Sequence, residues 1–219
     1  MPIKNQFKNL ILIIVYSVVV FINCKEKSID PLTDDDTKIA NADSVDENTI
    51  VRTKKPPIYL AENGVTIKAS DNAVIGKSYE LGEFSYVVVD SVILYEMVLN
   101  DDNMTYVVTT RITNLSHINF TKRSFPYFNQ DISSWDLSNV TNTSHMFYLT
   151  DGFNQNISFW DVSNVTNMNS MFAGAKSFNQ NINSWDVNNV SNCEDFSKDA
   201  IAWIEPKPDF INCSVDDLD

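Results

Sequence analysis

The sequence predicts an α/β solenoid: a short array of stacked repeats, each contributing one short strand and one short helix, with a cap at either end. Three observations point there. The words Phe128-Asn129-Gln130, Phe153-Asn154-Gln155 and Phe178-Asn179-Gln180 recur at a spacing of 25 residues, as do Ile132/Ile157/Ile182, Trp135/Trp160/Trp185, Asp136/Asp161/Asp186 and Val140/Val165/Val190. Within a unit the apolar period changes: Ile157-x-x-Trp160-x-Val162 ends in the alternation of a strand, and Val165, Met168, Met171 and Phe172 then follow on one helical face. Finally, residues 128–190 carry only Lys176 and five aspartates although the chain as a whole has a net charge of −13, so the repeated section is polar but weakly charged.

From the N-terminus, Lys4 and Lys8 precede an apolar run from Leu10 to Ile22. A helix over these 13 residues spans roughly 20 Å, short of the ~30 Å hydrocarbon core of a bilayer. A basic start, an apolar stretch and a polar junction read as a secretory signal over residues 1–23. Cys24 stands where the lipidated first residue of a bacterial lipoprotein stands, although Phe21-Ile22-Asn23 departs from the usual small-residue approach to it; a cleaved signal without lipid is the alternative. Residues 24–55 hold almost no large apolar side chain and include Asp34-Asp35-Asp36, the composition of a flexible linker.

Residues 56–103 read as a β-hairpin-rich N-terminal cap. Ile58-Tyr59-Leu60 and Val65-Thr66-Ile67 flank Asn63-Gly64, the strongest short hairpin signal, and Ser78–Leu81 and Phe84–Val89 flank Gly82. Asp90 is placed to cap a helix presenting Ile93, Leu94, Met97 and Val98. A divergent first repeat, 104–127, aligns Thr110–Ile118 with Ser138–Met146 after a shift of 28, the surplus falling before Phe128. Over 128–192 the repeat is regular, with an expected core of Ile132, Trp135, Val140, Phe153, Ile157, Trp160, Val165, Met168, Phe172, Phe178, Ile182, Trp185 and Val190. Ser163 or Asn164 is positioned to cap the helix of its unit, and Ala173-Gly174-Ala175 to end it. One strand and one helix in a period of roughly 20–29 residues is the leucine-rich-repeat pattern, so the fold expected is leucine-rich-repeat-like. Residues 193–219 form the C-terminal cap. With Cys24 assigned to lipid, Cys193 and Cys213 remain as an even pair in an exported protein, and a disulfide between them is expected.

The repeated Phe-Asn-Gln-x-Ile-x-x-Trp-Asp-Val-Ser-Asn-Val-Thr-Asn-Met-x-x-Met-Phe resembles the repeat of BspA-family leucine-rich-repeat surface proteins, a repeat also found in bacterial lipoproteins. The resemblance covers about residues 105–213, and the Cys193…Cys213 ending is similar to terminal caps of that group. It implies display at the cell surface and binding or adhesion, with no catalytic residue to carry over. Thr143, standing where Met168 stands one unit later, and the weakly matching first unit depart from the pattern.

The candidate sites are few. Two histidines and three cysteines exclude a four-cysteine or three-histidine zinc site. The acidic balance argues against nucleic acid, whose phosphates need a concentrated basic surface. Asp136, Asp161 and Asp186 would form a ladder; neighbours at ~5 Å repel by about 0.8 kcal/mol in water and ~3 at an effective dielectric of 20. Either a calcium ion or hydrogen bonds from each Asp to the amides of its own turn would relieve this, and the second is favoured. Asn129, Asn154 and Asn179 read as a buried amide ladder, the tryptophans as core, and His117 and His145 as equivalent residues free to stack. No nucleophile, acid/base pair or phosphate loop stands out, so neither enzyme activity, cofactor nor metal is expected. The function expected is that of an exported, lipid-anchored envelope protein, at the outer membrane or cell surface, whose array binds an extracellular protein or glycan. The alternative is a structural envelope spacer with no dedicated ligand.

Overall fold

The computed structural model describes residues 55–116, 118 and 127–215, all within one compact unit, Arg52–Asp219. The signal segment, Cys24, the linker up to residue 54 and His117 lie outside the described residues.

Two small sheets open the fold. β1 (Ile58–Leu60) pairs antiparallel with β2 (Ile67–Ala69). The second strand begins later than the Asn-Gly signal suggests, because the Asn63 side chain accepts from the N–H groups of both Val65 and Thr66 and holds them in the turn. β3 (Ser78–Leu81) and β4 (Phe84–Val88) form the second hairpin, turning at Gly82 with φ 64°. β5 (Val107–Val108) then joins β4 in parallel, so the cap's sheet continues into the chain that opens the first unit.

Between β4 and β5 runs α1 (Ser91–Asn100). Asp90 caps it by accepting from the Val92 and Ile93 amides, and Asp101, with φ 62°, closes it in the left-handed conformation. Leu94 and Val98 are buried, and Ile93 and Met97 pack beside them against the main core.

The repeats hold the largest part of that core, and here the expected elements need correction. Among the described residues the units from 128 onward contain no helix and no extended strand, and the first unit has only the two-residue β5. Each unit is a series of turns joined to its neighbour by a single parallel bridge, Asn114–Asn142, Asn142–Asn167 and Asn167–Asn192, within the stretch read as helical. The reason lies in where the amides point. Those of Met168, Ser170, Phe172 and Gly174 donate to the carbonyls of Asn192, Glu194, Phe196 and Lys198 of the next unit, at 2.8, 2.8, 2.9 and 2.7 Å. An α-helix would spend them on the carbonyls four residues back. Two left-handed residues per unit make the pattern incompatible with a helix: His145 and Leu149, Ser170 and Gly174, Asp195 and Asp199.

The side chains stack with the same regularity. Phe128, Phe153 and Phe178 lie 5.9 and 5.8 Å apart between ring centroids, and Trp135, Trp160 and Trp185 lie 6.5 and 6.2 Å apart. Phe147 and Phe172 fill the space between these columns. At the C-terminal end Trp203 meets Phe178 edge-on at 4.7 Å in the place of a fourth phenylalanine, and Phe210 packs on Phe196.

Cys193 and Cys213 are joined in a disulfide, with the first cysteine fully buried. The bond closes a separation of 20 residues, worth about 3 kcal/mol in the chain-entropy account. Replacing Cys213 by serine is therefore expected to lower the melting temperature by roughly 10 °C, and reductant should lower that of the parent chain to match. A melt indifferent to reductant would contradict this.

Candidate binding surface

All thirteen core residues expected from the repeat are buried: Ile132, Trp135, Val140, Phe153, Ile157, Trp160, Val165, Met168, Phe172, Phe178, Ile182, Trp185 and Val190. None is available to a ligand. Each tryptophan of the column also spends its indole N–H inside the fold, Trp135 on the Met104 carbonyl, Trp160 on Ile132 and Trp185 on Ile157. Thr143, the departure from methionine, is buried as well and turns its hydroxyl to the Asn167 carbonyl at 3.4 Å.

The outward residues between these positions form rows, one residue per unit, and most of their polar atoms bind the neighbouring unit. Asn139, Asn164 and Asn189 donate through Nδ2 to the carbonyls of Thr110, Ser138 and Ser163. Thr141, Thr166 and Ser191 donate their hydroxyls to Thr113, Thr141 and Thr166. The Asn129/Asn154/Asn179 ladder runs along the surface rather than in the interior. Asn129 Oδ1 accepts from the Asn154 amide, Asn154 Oδ1 from Asn179, and Asn179 Oδ1 from both Ile204 and Glu205. The result is a surface of amides and hydroxyls held in fixed positions.

The aspartate ladder is divided. Each member accepts from its own turn: Asp136 from Ser138, Asp161 from Ser163, Asp186 from the Asn188 amide. Asp136 alone is buried, at 1% exposure, and alone meets cations and hydroxyls from elsewhere, Lys68 at 3.5 Å and Thr110 at 2.6 Å. Asp161 and Asp186 stand in solvent. Among the described residues no group of three or more histidine, cysteine or acidic side chains could hold a metal ion.

The role of Lys68 leaves little trace in the sequence. Its only signal is that it is the one charged residue between Glu62 and Asp71 in an otherwise β-rich run. His145 is exposed and packs edge-on against Tyr148, while its expected partner His117 lies outside the described residues. On the cap, burial raises the phenol of Tyr86 above its ordinary value, with Tyr106 and Asp131 adding to the effect. At the other end, a hydrogen bond to Asp195 raises the Lys198 ammonium.

The family described as "Mycoplasma protein of unknown function, DUF285" matches residues 93–209, more than half of the chain. The chain belongs to that family. The DUF285 match begins within α1 and ends at Asp209, so it takes in all the stacked units and stops short of Cys213. No curated protein and no solved structure matches the chain. Within the DUF285 region no described helix is long and apolar enough to cross a membrane.

Proposed function

We propose that this DUF285 protein is an exported, non-catalytic surface lipoprotein, anchored to the cell envelope through Cys24, whose repeats form a short solenoid that binds an extracellular protein or glycan. One observation supports this above the others: the outward rows of the repeats are fixed, nearly uncharged amides and hydroxyls, held by hydrogen bonds between units. A rigid polar surface loses little entropy on meeting a partner. The resemblance of the repeat to that of BspA-family surface proteins points the same way.

Deleting residues 105–213 is expected to abolish adherence to an intact cell layer while the remaining chain still partitions with the membrane. Adherence that survives the deletion would contradict the binding role. A spacer without a ligand is the second reading, favoured by the same rows, since many of their donors are already spent within the protein. A saturable partner retained by residues 56–219 decides for binding.

A further inference from the structure

The first hairpin lies across the outward turn of the first full repeat and occupies a site whose parts recur in the next two. The Ile67 amide donates to the Ser134 carbonyl at 2.9 Å. One residue on, the Lys68 ammonium lies 3.1 Å from Ser138 Oγ and 3.5 Å from the buried carboxylate of Asp136. A single extended segment thus engages three groups: the carbonyl before the tryptophan, the carboxylate after it, and the hydroxyl two residues further. One unit along, the equivalent residues are Phe159, Asp161 and Ser163, and in the third unit Ser184, Asp186 and Asn188. Their local conformation matches, because Asp161 and Asp186 accept from their own turns as Asp136 does, the turn amides lying 3.2, 3.1 and 3.1 Å away respectively.

What differs is the cover. Among the described residues the one hydrogen bond from the hairpin to the second unit comes from Asn63, whose Nδ2 donates to the Phe159 carbonyl at 3.4 Å. Asp161 and Asp186 are exposed, and Phe159, two residues before Asp161, is 45% exposed. Among the described residues nothing donates to the Ser184 carbonyl, and no donor from outside its own turn reaches either carboxylate. The lone cation of residues 128–190, Lys176, is engaged with Asp151 at 3.2 Å.

We infer that the turns of the second and third units are a docking site for an extended, lysine-bearing segment of a partner protein, held there as β2 is held on the first unit. A main-chain N–H of the partner meets the carbonyl of residue 159 or 184, and its ammonium meets Asp161 or Asp186. Charge selects the occupant, since two carboxylates without a neighbouring cation repel an acidic segment and attract a basic one. The Phe159 ring offers an apolar wall to the methylenes of the lysine. The hairpin of a second copy is not the occupant, because its lysine is already bound to its own Asp136. This inference rests on the binding role proposed for the repeats and names the chemistry of the partner.

The test uses the full chain and a fluorescent peptide with the sequence of residues 64–70, Gly-Val-Thr-Ile-Lys-Ala-Ser. Asparagine at both positions (Asp161→Asn with Asp186→Asn) keeps the oxygen that each turn needs and removes only the charge. Fluorescence anisotropy is expected to show saturable binding to the parent chain, weakened by salt. A loss of roughly tenfold or more is expected in the double variant, and again when norleucine replaces the peptide's lysine. Equal affinity for parent and double variant, or for the two peptides, or no binding at all, would overturn the inference. Scoring the same preparations for adherence separates the two levels. Peptide binding absent while adherence still depends on residues 105–213 overturns this inference alone; adherence indifferent to those residues overturns the binding role beneath it.

Discussion

Replacing Trp160 by alanine is expected to lower the stability of the folded chain by about 4 kcal/mol, the cost of emptying a large aromatic site in a packed core. Trp160 is the middle member of its column, stacked at 6.5 Å on Trp135 and 6.2 Å on Trp185, and Phe147 lies against it. Its removal strips contacts from both neighbouring units at once and leaves the Ile132 carbonyl without its indole donor. Circular dichroism should show a melting temperature lower by roughly 10 °C or more. Phe159→Ala is the control: one residue away and half-exposed, it should move the melt little. A Trp160→Ala protein that melts with the parent would mean that the column is not a continuous core.

Asp136→Ala is expected to cost about 3 kcal/mol, because it leaves a partly buried ammonium without its counter-charge and two groups of donors without their acceptor. Lys68 loses its ion pair; the Ser138 amide and hydroxyl and the Thr110 hydroxyl lose the carboxylate they share. The same substitution at Asp186 should cost only about 0.5 kcal/mol, since that side chain is exposed and serves its own turn alone. Urea unfolding of the two variants side by side measures the difference. Equal losses would show that the contact with the hairpin contributes nothing and that each aspartate matters only to its turn.

The contrast between Asp136 and Asp186 also marks how far the amino-acid sequence can be read. The register of the units was legible, because phenylalanine, isoleucine and tryptophan at fixed intervals have to face the same interior. The Asp90 cap was legible for a similarly local reason, and the Cys193–Cys213 bond because two cysteines remain once Cys24 is set aside. The path of the backbone was not. Val165, Met168, Met171 and Phe172 carry helical spacing, yet a turned segment that donates to the next unit presents inward residues at the same intervals. The left-handed residues that forbid the helix are histidine, leucine, serine and aspartate, and only Gly174 announces itself. β5 is two residues long, too short for any periodicity. The distinction among the three aspartates was invisible because it depends on Lys68, 68 residues before Asp136, and contacts at that range leave no local trace.

The bonds between units join equivalent atoms, carbonyl 192 to amide 168 as carbonyl 167 to amide 143. Such a lattice has a consequence for inheritance. A duplication of one whole 25-residue unit inserts a copy whose donors and acceptors find matching partners above and below. An insertion of intermediate length within the bonded stretch of a unit puts the later donors of that unit opposite the wrong acceptors, whereas the three surplus residues before Phe128 leave the Asn114–Asn142 bridge in register. Length in this protein can therefore change by whole units during copying of the gene, with both ends left intact, and the extent of the stacked core is a quantity that recombination can adjust in discrete steps.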